Sequence, residues 1–425
     1  MRALDNLASN NNRPLLIPAN GKTERKLLSV FMAILEIVPE FRGKILKLCD
    51  YPSGKTCKYE SHMEPQYDSP SLYLNKKSQE TKKLRPDGLI ICQRGSKHWS
   101  AFIEAKSDIN KIRSEQVLDY ADLASKLDID AIISISNEFA LNPKELPYHL
   151  AGNKRRKREI FHLSWSEIRT CLGMFLGSSN SCNDAEKQVL HHALSFMLDD
   201  KSGVKTYDMM PEGWAKFVES ASTELGFSTN TQGVMDIIHG WQQERRDLCA
   251  KLNGIISEGV ELRHPSGARS TPKECIDYDK KLLANEYKLK AGYYFKLSKT
   301  HFTITSDLNA CRNRFALKIG PPKGKKAKAT ITWICEKLSK LDADRYSIRL
   351  SWTGRSGDST IKLGDLINQP EVGYLNQKET PKSISIITRD RNVRRFKSRK
   401  QFIEDLEKNA IQLIKDIRTT NILSE

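Results

Sequence analysis

The stretch Arg85-Pro86-Asp87-Gly88-Leu89-Ile90-Ile91-Cys92, followed after a polar segment by Phe102-Ile103-Glu104-Ala105-Lys106, decides the fold of the first part of this chain. Both stretches contain short apolar runs, as expected of strands buried in a sheet. Residues 93–98 between them are polar and have Gly95 and Ser96 at the centre, which is typical of a turn. The two stretches therefore predict a β-hairpin.

The pairing of the two strands decides which side chains meet. If Cys92 lies opposite Ala101, Asp87 falls opposite the segment from Glu104 to Lys106. Because side chains alternate along a strand, Glu104 and Lys106 share one face and the residues between them point to the other. The hairpin is therefore predicted to gather Asp87, Glu104 and Lys106 at one end.

This trio suits the hydrolysis of a phosphodiester. Carboxylates such as Asp87 and Glu104 are hard oxygen ligands for Mg²⁺ or Mn²⁺, and a bound metal ion acidifies water and polarises phosphate. Lys106 could orient or deprotonate the attacking water, and we expect burial to lower its pKa. The alternative is a surface hairpin that carries an ordinary Glu–Lys pair.

The residues Pro86-Asp87 and Glu104-Ala105-Lys106 resemble the motif of the PD-(D/E)XK nuclease superfamily, whose fold is restriction-endonuclease-like. The core of that family is a helix, a three-stranded meander, a helix and a further strand. Residues 111–127 are predicted to be the second helix, and residues 131–136 the strand after it. The resemblance implies an α/β N-terminal domain with a mixed central sheet flanked by helices.

The resemblance also implies roles for residues of the site. Asp87, Glu104 and the carbonyl of Ala105 would bind Mg²⁺ or Mn²⁺, and Lys106 would assist the attacking water. Asp87→Ala or Lys106→Ala should then abolish cleavage and spare the fold. On the predicted second helix, Gln116 and Tyr120 resemble a Gln-x-x-x-Tyr motif found in the exonuclease-like branch of the superfamily.

Gln116 and Tyr120 share one helix face because they lie four residues apart. By resemblance they would orient the lysine or contact a substrate phosphate; alternatively, they are the polar edge of an apolar face.

Glu24 extends the apolar stripe of a first predicted helix, and it resembles a family acid that binds a second metal ion or orients the site. Its alternative role is to stabilise the helix N-terminus, with Thr23 as a cap.

Secondary structure is predicted along the rest of the chain. The first strand of the meander is expected within residues 44–49, and residues 51–83 are expected to be a long insertion near the site. Residues 159–163 are predicted as a strand, and residues 164–167 as a capping box that opens a helix to about residue 176. Further predicted elements are a helix at 185–198, a helical region at 211–259, strands from residue 286 onward including 346–352 and 383–388, and a helix at 399–417.

These patterns predict three regions: a nuclease-like domain at 1–178, a helical linker or bridging region at 179–260, and a basic α+β recognition or regulatory domain at 261–425. The chain has 425 residues and a formal net charge of +17, with nine cysteines and no CxxC pair. A basic surplus favours a polyanionic partner, and scattered cysteines suit a reducing cytoplasm. No apolar run is long enough for a membrane span, the polar N-terminus does not resemble a signal peptide, and no P-loop is present.

Three basic clusters are candidate contacts to nucleic acid. The alternative for each is ordinary solubilising charge, and for the first cluster also a nuclear-localisation-like run. The clusters comprise Lys154, Arg155, Arg156, Lys157 and Arg158; Lys323, Lys325, Lys326 and Lys328; and Arg389, Arg391, Arg394, Arg395, Lys397, Arg399 and Lys400.

The sequence thus predicts a Mg²⁺-dependent or Mn²⁺-dependent deoxyribonuclease, expected to be an endonuclease of prokaryotic restriction or anti-phage defence. DNA is favoured over RNA because most of the superfamily cuts DNA. One alternative is a non-catalytic nucleic-acid-binding protein that keeps the nuclease fold. Another is a nuclease subunit gated by a partner or a signal. The protein could act as a homodimer or within a larger defence complex.

Overall fold

A computed structural model of the chain describes residues 13–17, 21–51, 57–65, 84–140, 143–144, 146–148, 150, 158–177, 181–223, 232–256, 259–265, 272–352, 357–374 and 381–423. The chain divides into two compact units, Met1–Thr206 and Tyr207–Glu425. Both units combine helices with a β-sheet. Among the described residues, no helix combines the length and the apolar character needed to cross a bilayer.

The first unit is a five-stranded mixed sheet with helices on both faces. Its described helices are α1 (Thr23–Ile37), α2 (Pro39–Leu48), α3 (Ser114–Leu127), α4 (Trp165–Leu176) and α5 (Asp184–Leu198). Its described strands are β1 (Lys58–Met63), β2 (Gly88–Arg94), β3 (Lys97–Ala105), β4 (Ala131–Ser136) and β5 (Glu159–Ser164).

The strand order is β1-β2-β3-β4-β5. The first three strands form an antiparallel meander, and β3, β4 and β5 run parallel to one another. A parallel connection needs a crossover, and α3 provides it between β3 and β4. The predicted hairpin, the second helix and the strand that follows it are therefore present, and the helix begins at Ser114 rather than at residue 111.

The hairpin register differs by two residues from the predicted one. Cys92 lies opposite Trp99, and Arg94 pairs with Lys97, so Gly95 and Ser96 alone form the turn. Gly95 has φ of 61°, and two-residue hairpin turns require a positive φ because this matches the right-handed twist of the strands. The tighter turn lengthens both strands and still brings the residue before β2 opposite the end of β3.

The first strand of the meander was predicted in the wrong place. Residues 44–48 belong to α2, where Phe41, Ile45 and Leu46 bury one helical face. Pro39 opens this helix, and a proline is well tolerated in the first turn because it has no N–H to leave unpaired. The true first strand, β1, lies inside the segment that was predicted to be an insertion, and it pairs with β2 along its whole length.

The two faces of the first sheet carry separate apolar clusters. Ile103 and Ala105 pack with the helices α1, α2, α4 and α5 on one face. Phe102 packs with α3 on the other face, against Tyr120 and Leu123. Since Glu104 follows the alternation of Phe102, it lies on the α3 face, and it points away from Ile103 and Ala105 as predicted.

The second unit contains a seven-stranded antiparallel sheet with the order β11-β10-β12-β9-β8-β7-β6. Its described strands are β6 (Val260–Arg263), β7 (Lys288–Phe295), β8 (Thr300–Asp307), β9 (Arg312–Ile319), β10 (Tyr346–Ser351), β11 (Ser359–Lys362) and β12 (Ser383–Asp390). Its described helices are α6 (Trp214–Ser222), α7 (Gln232–Ile255), α8 (Pro272–Glu286), α9 (Ala327–Leu338), α10 (Leu363–Asn368), α11 (Val393–Lys397) and α12 (Arg399–Thr419).

The region predicted as a bridge, 179–260, is divided between the two units. Leu190, Leu194 and Met197 of α5 belong to the core of the first unit. In the second unit, Trp214 and Trp241 are fully buried core residues. Each indole N–H donates to a backbone carbonyl, that of Phe396 at 2.9 Å for Trp214 and that of Lys290 at 3.1 Å for Trp241.

A buried histidine makes the first unit sensitive to acid. The ring of His162 in β5 is fully buried, with Nε2 donating to the Glu138 carbonyl at 2.9 Å and Nδ1 lying 2.9 Å from Ser134 Oγ. Burial lowers the pKa of His162 from 6.5 to about 4, although the Glu138 carbonyl favours the charged form. The unfolded chain therefore binds a proton at a higher pH than the folded chain does.

We expect the protein to lose stability through His162 as the pH falls from about 6.5 to about 4. Relative to His162→Gln, the free energy of unfolding of the native protein should fall by about 3 kcal/mol over that range. Urea unfolding at a series of pH values measures this difference. The exposed His191→Gln is the control and should leave the pH slope unchanged. If the free energy of unfolding depends on pH in the same way for the native protein and for His162→Gln, His162 is not the source of the acid sensitivity.

Candidate active site

The start of β2 and the end of β3 bring Asp87, Glu104 and Lys106 to one end of the first sheet. Asp87 immediately precedes β2, Glu104 and Ala105 end β3, and Lys106 follows them. The end of β3 is held in place on both sides, because the Lys106 N–H donates to the Ile135 carbonyl at 2.8 Å. The Trp165 indole donates to the Lys106 carbonyl, also at 2.8 Å.

The Lys106 ammonium lies at the centre of the site. Its Nζ is 2.5 Å from Glu104 Oε1 and 2.8 Å from the Ala105 carbonyl oxygen. Glu24 Oε1 lies 3.4 Å and Asp87 Oδ2 3.7 Å from the same nitrogen. Three carboxylates and one carbonyl therefore point toward a single cationic position.

Glu104 is the most deeply buried of the three acids, with no solvent exposure. Its Oε2 accepts no hydrogen bond from any described residue. Burial and the nearby Asp87 raise the pKa of Glu104, against the opposing effect of Lys106. A carboxylate without water or a full set of donors needs a cation or a proton as compensation.

Asp87 is fixed by the backbone that faces it. Its Oδ2 accepts a hydrogen bond from the Ala105 N–H at 2.8 Å, and its carbonyl accepts one from the Glu64 N–H at 2.9 Å. Burial raises the pKa of Asp87, against the opposing effects of Lys106 and the Ala105 N–H. The carboxylate is thus held in one orientation beside Glu104.

The pKa of Lys106 is raised, whereas the sequence predicted that burial would lower it. Burial does favour the neutral amine, but Glu104, Asp87 and Glu24 together outweigh it. The prediction was wrong because it considered only the effect of burial on the pKa of Lys106. It left out the attraction of three carboxylates for the same ammonium group. In this arrangement Lys106 is a cation that neutralises the carboxylates.

Glu24 lies in the first turn of α1 and reaches the site through Lys106. Burial raises its pKa, while Lys106 lowers it. The helix begins after Lys22 without a side-chain cap, so the capping role considered for Thr23 is not observed. Its contact with Lys106 places Glu24 among the predicted site residues.

Gln116 and Tyr120 act on the chain that leads to Asp87. Gln116 Nε2 donates to the Tyr120 hydroxyl at 2.9 Å, and that hydroxyl donates to the Arg85 carbonyl at 2.9 Å. Burial, together with the nearby Glu104, raises the pKa of Tyr120, so the hydroxyl keeps its proton. Among the described hydrogen bonds, this pair reaches the backbone before Asp87 rather than Lys106.

A second polar group at the site, which is centred on Glu64, has no recognisable signal in the sequence. Its carboxylate lies 2.6 Å from the Arg85 guanidinium and 3.4 Å from that of Arg25. Glu64, Asp87 and the first turn of α1 line a cavity of about 400 Å³ that opens beside the acids. The cavity gives a ligand a route to the carboxylates.

The basic residues predicted to contact nucleic acid have varied environments. Lys154, Arg155, Arg156 and Lys157 lie outside the described residues, and Arg158 binds Asp128 at 3.0 Å. Lys325 and Lys326 precede α9.

The last basic cluster is only partly available to a ligand. Arg391 and Arg394 are exposed. Arg395 makes two 2.7 Å hydrogen bonds to Asp405, and Lys397 lies 3.2 Å from Glu219. These last two cations therefore stabilise their own unit.

Replacing Lys106 should destabilise the first unit. We expect Lys106→Met to lower the free energy of unfolding by about 1–3 kcal/mol, because buried Glu104 loses its cation and must take up a proton. Urea unfolding in chelator measures the change, and Glu104→Gln/Lys106→Met should recover part of it. The exposed Lys111→Met, which removes only a surface ion pair, should have almost no effect. A Lys106→Met protein as stable as the native one would show that the cluster does not contribute to folding.

Within the described residues, no group of three or more His, Cys, Asp or Glu side chains is arranged to hold a metal ion. The potential oxygen ligands are instead two carboxylates and a backbone carbonyl, all in contact with the Lys106 ammonium or within 3.7 Å of it. Comparisons with protein-family models, with curated proteins and with solved structures found no match. The chemistry of the site therefore has to be inferred from its own residues and distances.

Proposed function

We propose that the first unit is a metal-dependent nuclease that hydrolyses phosphodiester bonds in DNA. The carrying observation is the convergence of Glu104 Oε1, the Ala105 carbonyl and Asp87 Oδ2 on one cation position, 2.5 to 3.7 Å from Lys106 Nζ. Hard oxygen donors of this kind fit Mg²⁺ or Mn²⁺. The buried Oε2 of Glu104, which has no partner among the described residues, also suits a cation ligand.

The order of elements supports a restriction-endonuclease-like fold for this unit. A helix, the meander β1-β2-β3, the helix α3 and the parallel strand β4 follow one another as in the PD-(D/E)XK superfamily. The residues Pro86-Asp87 and Glu104-Ala105-Lys106 lie where that family carries its motif. Fold likeness alone does not establish an activity, so the proposal depends mainly on the convergent oxygen atoms.

Asp87, Glu104 and the Ala105 carbonyl would hold the metal ion. When bound, Mg²⁺ or Mn²⁺ supplies charge that polarises the phosphate and acidifies a water molecule. With Asp87 and Glu104 engaged by a metal ion, Lys106 would lack the two carboxylates that chiefly keep it protonated, and its burial would favour the neutral amine. A neutral Lys106 can accept a proton from the attacking water or orient it, while Glu24, 3.4 Å away, limits how far the side chain moves.

Tyr120 and Gln116 would serve as positioning residues. Their hydrogen bonds hold the Arg85 carbonyl, two residues before Asp87, and so restrict the position of the Asp87 carboxylate. Small displacements of a catalytic group are costly because the reacting atoms must be aligned. This role differs from the substrate contact that the family resemblance also allowed.

DNA is the proposed substrate, and a basic chain of net charge +17 is attracted to any nucleic acid. The second unit would recognise the substrate or regulate the nuclease. A cytoplasmic role in prokaryotic restriction or anti-phage defence, as a homodimer or within a larger complex, fits such a pairing.

The activity is tested by incubating the purified protein with supercoiled plasmid and linear duplex in Mg²⁺, Mn²⁺ or chelator. We expect metal-dependent cleavage that falls by about 10²–10⁴-fold in Lys106→Ala and in Asp87→Asn. Lys111→Ala and Asp122→Asn are matched controls, because both residues are exposed, and they should cut at the native rate. If the metal-loaded protein binds DNA and cuts none of it, the nuclease proposal is wrong.

Tyr120→Phe separates positioning from direct participation. It removes one hydroxyl that holds the Arg85 carbonyl, so the cleavage rate at saturating DNA should fall by up to about 10²-fold with little change in the Km for DNA. Gln116→Ala should show a smaller fall in the same direction. Tyr374→Phe in the second unit is the control. A large rise in Km at an unchanged maximal rate would instead indicate that Tyr120 contacts the substrate.

A further inference from the structure

One face of the seven-stranded sheet is polar, and the other is buried. Burial alternates strictly along β8 and β10 and along most of β9, where the buried residues are apolar or small. α12 packs on β9 and β12. The opposite face carries the partly exposed side chains, and we refer to it as the polar sheet face. It is defined by His301, Thr303, Thr305, Arg314, Ala316, Lys318, Ser385, Arg349 and Ser351, together with Arg389 opposite Arg314 and Tyr294 opposite His301.

A concave pocket of about 350 Å³ lies on the polar sheet face. Its lining is dominated by hydroxyl groups and cations, with Asp358 as its carboxylate. Pockets for drug-like ligands are mostly apolar, so this lining favours an anionic, strongly hydrogen-bonding ligand instead. Hydroxyls and guanidinium groups together are typical contacts to phosphate oxygen atoms.

The cations of the polar sheet face are close to one another, and several have no ion-pair partner among the described residues. Arg314 of β9 lies directly opposite Arg389 of β12. Like charges at directly opposite positions in a sheet are destabilising unless something compensates them. Among the described residues, no ion pair involves Arg314, Lys318 or Arg389, whereas Arg349 binds Asp358 at 2.5 Å.

Arg314 is the cation of this face whose charge is least compensated by the residues described around it. Its Nε is shielded from solvent and has no hydrogen-bond partner in the part of the chain that the structure describes. Burial lowers its pKa, and the neighbouring Arg349, Arg389 and Arg312 lower it further. An arginine stays charged in proteins, so this environment is a positive potential that an anion would relieve.

The spread of the cations exceeds one phosphate group. Arg314 and Lys318 are four residues apart on β9, a separation of about 13 Å along the strand. Lys318 and Arg349 are separated by the intervening strand β12, where Ser385 lies between them. An aromatic pair lies at the other end of this row, with the ring centroids of Tyr294 and His301 4.9 Å apart. Aromatic rings beside a cationic track are the usual platform for unpaired bases.

We propose that the polar sheet face binds a single strand of nucleic acid, with Arg314, Lys318 and Arg389 on its phosphates and Tyr294 against a base. The cations, hydroxyls and aromatic rings follow neighbouring strands of one sheet face, and such a surface can take the splayed bases and the backbone of an unpaired strand. This site is separate from the carboxylates of the first unit and needs no metal ion. It would give the second unit a substrate-holding role that does not depend on the nuclease activity.

The test measures binding of a fluorescein-labelled thymidine oligonucleotide to the full chain in chelator, where no metal-dependent cleavage can occur. Arg314→Gln/Lys318→Gln/Arg389→Gln should weaken binding by at least about tenfold and make its salt dependence shallower, because fewer counterions are released. The control Lys281→Gln/Lys408→Gln/Lys415→Gln removes the same charge from exposed helical positions of the second unit and should bind as the native chain does. Thermal unfolding checks that both triple variants are folded.

Tyr294→Ala tests the stacking contact without a change of charge. It should weaken binding of the oligonucleotide by about tenfold and leave the salt dependence unchanged. Equal binding by the two triple variants would overturn the proposal. Tighter binding of duplex than of single strand that is lost in the first triple variant would overturn the choice of ligand. If inorganic phosphate displaces the oligonucleotide completely at an equal concentration of phosphate groups, the face binds small anions and not a nucleic-acid strand. None of these outcomes depends on whether the chain cuts DNA.

Discussion

The first unit depends on how the charge of Glu104 is compensated. The carboxylate ends a strand that is paired on both edges, and it has no contact with solvent. Lys106 supplies the compensation at 2.5 Å, and Asp87 and Glu24 surround the same ammonium. Removing one partner of such a buried group costs far more than a surface ion pair contributes. The cluster that is expected to contribute to folding also contains the oxygen atoms that are proposed to bind the metal ion, and this links the stability of the unit to its proposed chemistry.

Much of this site could be predicted from sequence because its residues lie on adjacent strands. The alternation of a strand places Glu104 and Lys106 on one face, and a two-stranded hairpin brings Asp87 to them whether Cys92 pairs with Ala101, as predicted, or with Trp99, as observed. β1 could not be found in this way, because Lys58–Met63 reads as polar and its burial comes from pairing with β2. The apolar residues within 44–48 are compatible with either a strand or a helix. Pro39 favours the start of a helix, and packing in the core of the first unit stabilises that helix. The pKa of Lys106 depends on Glu24, which is distant in sequence, so the direction of its shift required the three-dimensional arrangement.

The second unit shows a different limit of sequence reasoning. The alternating pattern of Tyr346–Ser351 correctly indicates one buried and one polar face. It does not reveal the strand order, in which β12 inserts between β10 and β9 and so aligns Arg349, Ser385 and Lys318 in one row. Clusters of basic residues in the sequence predict nucleic-acid contacts less well, since Arg395 and Lys397 form ion pairs with acids of their own unit. Cations without a described partner, such as Arg314, are better candidates for an external anion.

The central claim is that Asp87, Glu104 and the Ala105 carbonyl bind a divalent metal ion at the position that the Lys106 ammonium now neutralises. Titration of the purified chain with Mn²⁺, followed by electron paramagnetic resonance of the free ion, measures this directly and requires no substrate. The account predicts one bound Mn²⁺ per chain that is lost in Asp87→Asn and retained in the exposed control Asp122→Asn. Equal Mn²⁺ binding by the native chain and by Asp87→Asn would contradict it.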